Sequence, residues 1–122
     1  MDIKQNNLIN SLKLQPLIVV IRLEIDFFET PYKRDKLLFN IKKLSNYGIK
    51  HIEIGWDSNP EWVNLVSEIK ENFENINIGA ASIISMKSLD SILSLNLNYS
   101  MSPFFKKEIH LKAIEHNQLV IP

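Results

Sequence analysis

The sequence contains no cysteine. Disulfides, thiolate metal sites and cysteine nucleophiles are therefore excluded, and the composition fits a reducing compartment. Arginine is scarce as well: Arg22 and Arg34 stand beside twelve lysines, so bidentate recognition of anions has two possible donors. With only three glycines, the chain has neither a GxxxxGKS/T nor a GxGxxG run, and no loop cradling nucleotide phosphates is supported. Basic and acidic residues balance at fourteen each. The basic excess or stripe common in proteins that bind nucleic acid or membrane surfaces is missing, so neither is expected as a partner. No window approaches the roughly 18 apolar residues of a membrane span, and the opening MDIKQNNLINSLKLQ lacks the apolar region of a signal peptide. A cytoplasmic location is expected. His51, His110 and His116 show no metal-ligand spacing, so no metal site is expected, and His110 and His116 read as surface residues. Trp56, Trp62 and the phenylalanines read as packing groups and not as a base-stacking platform.

What is present is enough for a core: 45% of 122 residues are hydrophobic, which suits one domain spanning 1–122. Five short apolar runs read as strands, at 17–21 (LIVVI), 49–54 (IKHIEI), 76–81 (INIGAA), 99–101 (YSM) and 119–121 (LVI). The continuous apolar character of LIVVI predicts burial on both faces, as in a parallel strand covered by helices. Helical patterns fill the intervals. Thr30 can N-cap a helix with Pro31 at its first position and Gly48 just past its end, with Leu37, Leu38, Ile41 and Leu44 on one face. Ser58 or Asn59 before Pro60 repeats the start signal, with Val63, Val66, Ile69 and Phe73 as the inward stripe. Ser85 opens the next helix, with Met86, Leu89, Ile92 and Leu93 inward; a further one follows Pro103, with Ile109, Ala113 and Ile114. A short helix over Ile3–Leu14 precedes the first strand. Alternating helices and strands imply right-handed crossovers and a parallel α/β sheet. An open five-stranded sheet of the flavodoxin-like kind and an incomplete barrel both satisfy this order.

One strand raises a question. IKHIEIGW places Glu53 between Ile52 and Ile54, where burial is expected and an unpaired carboxylate is costly. Strand alternation sets His51, Glu53 and Gly55 on one side and Ile52, Ile54 and Trp56 on the other. Glu53 is then either a reactive carboxylate or a structural one paired with Arg22 or His51.

Five local signatures, taken in order, bear on both questions: VIR ending the first strand, IEIGW at the second, GAAS at the third, MSP at the fourth and VIP at the fifth. Their order and spacing resemble the 2-dehydro-3-deoxy-phosphogluconate/4-hydroxy-2-oxoglutarate aldolase family, whose members read roughly P-V-I/L-R/K, E-V/I-T-x-R, G-A-G-T, I-S-P-G/N and I/L-I/P-G. The resemblance covers nearly the whole chain. It implies the first five βα units of a (β/α)8 TIM barrel, with the active site at the C-terminal ends of the strands. It also implies a class I aldolase that releases pyruvate plus an aldehyde through a lysine imine, with a 2-oxo acid ligand and no metal or organic cofactor. Glu53 matches the family's proton-transfer glutamate, a group that works best with a pKa brought toward neutrality. Ser82 matches the threonine that helps hold the pyruvyl carboxylate, although small residues at a strand end also serve close packing. Arg22 matches the basic residue ending the first strand and could face substrate anions or bridge to Glu53. Ser102 and Pro103 match the S-P pair that shapes the substrate wall.

Three departures qualify the implied activity. The family's carboxylate-gripping arginine is Asp57 here, and the glycine after S-P is Phe104. The imine lysine belongs to a sixth strand, beyond the five strands in these 122 residues. Lys50, Lys87, Lys106 and Lys107 are poorly placed as substitutes, because an imine lysine needs a desolvated strand end. The chain is accordingly expected to be a truncated barrel without the aldolase reaction. A barrel stopped at five strands leaves two sheet edges and part of its interior open. A non-catalytic α/β assembly module, using those edges to form a homo-oligomer or to join another subunit, is the alternative expectation.

Overall fold

A computed structural model describes residues 3–122. Helix α1 spans Ile3–Leu14 and β1 spans Val19–Ile21; a 3-10 turn at Phe27–Glu29 leads into α2, Pro31–Asn46. Then follow β2 (His51–Gly55), α3 (Glu61–Asn72), β3 (Asn77–Ala81), α4 (Met86–Leu93), β4 (Tyr99–Met101), α5 (Lys107–Glu115) and β5 (Val120–Ile121).

All five strands are parallel and lie in the order β1-β2-β3-β4-β5. That order decides between the two architectures. A flavodoxin-like sheet reverses direction after its first crossover and so carries helices on both faces. Here every right-handed crossover steps the same way, which places α2 to α5 on one face, as in the first part of a TIM barrel whose sheet is not closed. The core lies between that face and the helices. Ile52, Ile54, Ile78 and Ala80 meet Ile41, Val66, Ile69, Leu89, Ile92 and Ile109, all essentially removed from solvent.

The helix ends follow local chemistry. Thr30 is extended and Pro31 opens α2, though the Thr30 hydroxyl donates to the Asp26 carboxylate and caps no backbone N–H. Past the other end, Gly48 takes φ +87°, its N–H bonds the Ser45 carbonyl, and Ile49 N–H bonds the Leu44 carbonyl. This is the double bond of a Schellman stop, which favours glycine at the left-handed position. At α4, Ser85 and Ser88 form a reciprocal capping box. For α3 the helix begins one residue later than expected: Pro60 is the cap and Glu61 the first residue, with Asn59 Oδ1 accepting from Glu61 N–H.

Several expected orientations are corrected. Only 19–21 of LIVVI is strand, and it is not buried on both faces: Val20 is 46% exposed and Leu17 48%. β1 is an edge strand, and among the described residues no helix covers its inner face. Met86 and Ile114, expected inward, are exposed; Trp62 and Leu65 fill the place given to Val63, which is half-buried. In α3 Val66 and Ile69 are buried as expected, and Trp62 joins them by sending its indole N–H to the Gly55 carbonyl, anchoring the helix to the end of β2. His110 is half-buried, its ring stacked on Phe105 with centroids 4.6 Å apart, whereas His116 is exposed as expected.

Candidate functional site

In parallel strands, residues in register point the same way, so the pairing lists the rows of the concave face. The middle row is Val20, Glu53, Gly79 and Tyr99. The row toward the strands' C-terminal ends holds Gly55 and Ala81, with Met101 and Ile121 continuing it. Below the middle row, His51 pairs with Asn77. There α1 crosses the N-terminal ends of the strands: Ser11 Oγ lies 2.6 Å from His51 Nε2, Asn77 Nδ2 donates to the same hydroxyl, and Gln15 bonds both Gly48 and Lys50. The second nitrogen of His51, Nδ1, meets the Leu17 carbonyl at 3.0 Å. The sequence alternative of a His51–Glu53 pair is thereby answered, since both His51 nitrogens are engaged elsewhere.

Glu53 is 5% exposed. Desolvation pushes its carboxyl above the ordinary value of 4.5, with Tyr99 and then Arg22 pulling in the other direction. Arg22 follows β1, is exposed, and donates from Nη1 to Ser82 Oγ at 3.1 Å. It influences Glu53 through its charge without forming an ion pair with it. Ser82, at the end of β3, adopts φ +64°, a left-handed conformation uncommon for a side-chain-bearing residue, which turns the chain immediately after the strand. Arg22 and Ser82 therefore meet just past the C-terminal ends of β1 and β3, and Glu53 stands at the centre of β2, within reach of the Arg22 charge.

Ser102 and Pro103 stand apart from this group. Ser102 continues β4 in the alternation that faces the helices; it is buried, and its hydroxyl donates to the Phe104 carbonyl at 2.7 Å. Pro103 is exposed in the same turn. Asp57 accepts from Asn59 N–H at 2.7 Å, so its carboxylate shapes the turn into α3. A cleft of about 400 Å3 between β1 and α2 carries Arg22 beside Lys33, Lys36 and Asn40, and Glu53 does not line it. Asp26, beside that cleft, and Glu24, lining it, hold the Lys33 ammonium well above its usual range and cancel its charge locally. Among the described residues no group of three His, Cys, Asp or Glu side chains is placed to hold a metal ion, and no helix is long and apolar enough to cross a membrane.

Tyr99 was missed by sequence reasoning. It is completely buried, and its phenol ionises far above the usual range through burial and the neighbouring Glu53 charge. Its hydroxyl nonetheless completes no hydrogen bond of regular geometry. No sequence signal marked it, because the row of an acid, a glycine and an aromatic on three strands exists only through the pairing of β2, β3 and β4.

This arrangement, parallel βα units in sequential order, is that of a partial TIM barrel. Solved structures share it. The chain matches a KDPG aldolase from Legionella pneumophila, with pyruvate captured as a covalent carbinolamine, at TM-score 0.70 and 19% identity, over 88% of this chain and 48% of that one. It matches a structure described as native KDPGal at TM-score 0.66 and 21% identity, over 86% and 47%. A porous protein cage designed by fusing symmetric oligomeric domains matches at TM-score 0.65 and 20% identity, over 86% and 36%. The likeness is one of fold, and the chain spans about half the length of the two aldolase structures. No family model and no curated protein matches the sequence.

Proposed function

We propose that this chain carries the proton-transfer part of a class I aldolase site for a pyruvate-like 2-oxo acid. The supporting observation is Glu53, a carboxylate nearly removed from water on the concave face and raised toward neutral pH by desolvation. Arg22 and Ser82, joined by a hydrogen bond beside it, are suited to a ligand carboxylate. Ser102 and Pro103 take no part in this reading, because the Ser102 hydroxyl lies on the helix side of the sheet and is held by the Phe104 carbonyl. Asp57, tied into its turn, takes no part in anion recognition, which leaves that task to Arg22.

The lyase reaction itself, cleavage of 2-keto-3-deoxy-6-phosphogluconate or 4-hydroxy-2-oxoglutarate to pyruvate and an aldehyde, belongs in this reading to a closed barrel with an imine lysine, and needs no other cofactor. None of the candidate lysines suits that role in the 122 residues. Lys50 precedes β2 at its N-terminal end, Lys87 lies in α4, Lys107 opens α5, and Lys106 caps α5 while donating to the Ile84 carbonyl. Incubation with pyruvate and borohydride, followed by intact mass, is expected to show no adduct, while saturation-transfer NMR detects weak pyruvate binding that Arg22→Met abolishes. An adduct would overturn the claim of inactivity; absence of any pyruvate binding would overturn the 2-oxo acid reading. The composition and charge balance are consistent with a cytoplasmic site of action.

A second reading, a non-catalytic assembly module, is favoured by one observation: the edge strand β1 carries a half-exposed Val20 on its inner face, with half-exposed Leu17 just before it. A homo-oligomer in native mass spectrometry, combined with no ligand binding, would favour this reading; a monomer would remove it.

A further inference from the structure

We propose that Tyr99 is a positioning residue for Glu53, donating its hydroxyl to the carboxylate across Gly79. The functional meaning rests on the acid–base role given to Glu53 above, whereas the pairing itself does not.

The geometry begins with the row Glu53, Gly79 and Tyr99 on three adjacent strands. Neighbouring strands lie about 4.8 Å apart, so Tyr99 and Glu53 start from backbones about 9.6 Å apart. A tyrosine that lay along this row would bring its hydroxyl close to the acid only if nothing stood between. Gly79 supplies that opening. A Cβ built there would fall 2.5 Å from Tyr99 Cζ, 2.6 Å from Cε2 and 2.8 Å from Cε1. The three nearest atoms are all at the hydroxyl end of the ring, so the tip of the phenol lies on the glycine and its oxygen extends toward β2. Tyr99 is fully buried, and its hydroxyl completes no hydrogen bond of regular geometry with any group. A buried hydroxyl in that state is costly, and the adjacent acceptor that relieves the cost is the Glu53 carboxylate.

Other groups around Glu53 leave this assignment intact. On its own strand, His51 is tied to Ser11 and the Leu17 carbonyl. From the end of β1, Arg22 is held by Ser82. β3 presents Gly79 and Ala81, and β5 presents Ile121, none of them titratable. From α1, Lys4 reaches the Asn117 carbonyl and Lys13 is exposed. A Tyr99 bond to one carboxylate oxygen would fix the orientation of the acid and leave its other oxygen free to exchange a proton with ligand or water.

The test is an NMR titration of protein carrying 13C at the glutamate carboxyls and tyrosine Cζ, with Glu53 assigned by Glu53→Gln. In wild type the Tyr99 Cζ shift is expected to inflect at the Glu53 midpoint. Tyr99→Phe, which deletes one oxygen, is expected to move that midpoint upward by about one pH unit, the scale of losing one hydrogen bond to the charged form. Gly79→Ala, which pushes the ring away, should move it in the same direction. A Tyr99 signal that ignores Glu53 protonation, or a midpoint unchanged in Tyr99→Phe, overturns the proposal; the wild-type signal decides even if a variant fails to fold. Pyruvate binding is read separately, so the aldolase reading and the pairing can each fail alone.

Discussion

His51 and Glu53 sit two residues apart on the same face of β2, and both are buried. Their surroundings differ completely. Both ring nitrogens of His51 are engaged, by Ser11 from α1 and by the Leu17 carbonyl, and Asn77 joins the same network. Glu53 has neighbours of the right kind, Tyr99 and Arg22, but no ion pair or regular hydrogen bond that satisfies it. A buried polar group with every partner in place stabilises and specifies a fold. One left partly unsatisfied, with its ionisation displaced, costs stability and is suited to chemistry. Within one strand, the buried polar group nearest the N-terminal end is fully partnered, and the one at the centre is not.

The largest test of that contrast is His51→Ala. It leaves Ser11 and the Leu17 carbonyl without their partner and opens a cavity beneath α1, and should cost about 3 kcal/mol in urea unfolding. A loss below about 1 kcal/mol would mean the α1 network is not a structural anchor. Gly79→Ala follows at about 2 kcal/mol, since its methyl meets the Tyr99 ring at contacts that cannot persist. An unchanged stability there would show that Tyr99 moves aside freely.

Glu53→Gln should act in the opposite direction, stabilising the fold by about 1 kcal/mol at pH 7, the scale of relieving one buried polar group without a full partner. The sign follows from proton linkage. An acid whose folded pKa is raised binds protons more tightly when folded, so its penalty is absent below the unfolded value of 4.5, grows as pH rises toward the folded value, and is complete above it. The wild-type and Glu53→Gln stability curves should therefore converge below pH 4.5 and separate as pH rises. Parallel curves would place Glu53 among the scaffold residues. The smallest effect is expected for Arg22→Met, within about 0.5 kcal/mol because the side chain is exposed, while the Glu53 titration moves further upward. A large loss of stability would recast Arg22 as structural.

Much of this was legible in the residues. Apolar run length and β-branched content located all five strands, and the Thr30-Pro31 start, the Gly48 stop and the Ser85 cap marked helix ends through local backbone chemistry. Inward stripes were read incompletely where one large side chain widened them: Val66 and Ile69 of α3 are buried as expected, while Trp62, reaching the Gly55 carbonyl, was not read as part of the stripe. Burial of LIVVI was overestimated because composition reports a tendency to be covered, and β1 lies at an edge where covering is incomplete. Glu53, Arg22 and Ser82 could be singled out by type, strand alternation and resemblance. Tyr99 could not, because its relation to Glu53 exists only across two strand pairings.

The sequence by itself determined the alternation of five strands with helices and the side of β2 on which Glu53 stands, since both depend on periodicity and short-range chemistry. Only the tertiary structure decided that the strands run in sequential order with α2 to α5 on one face, that α1 satisfies His51, and that Tyr99 lies over Gly79 beside the acid. Those outcomes depend on register between segments distant along the chain, and no local pattern carries that information.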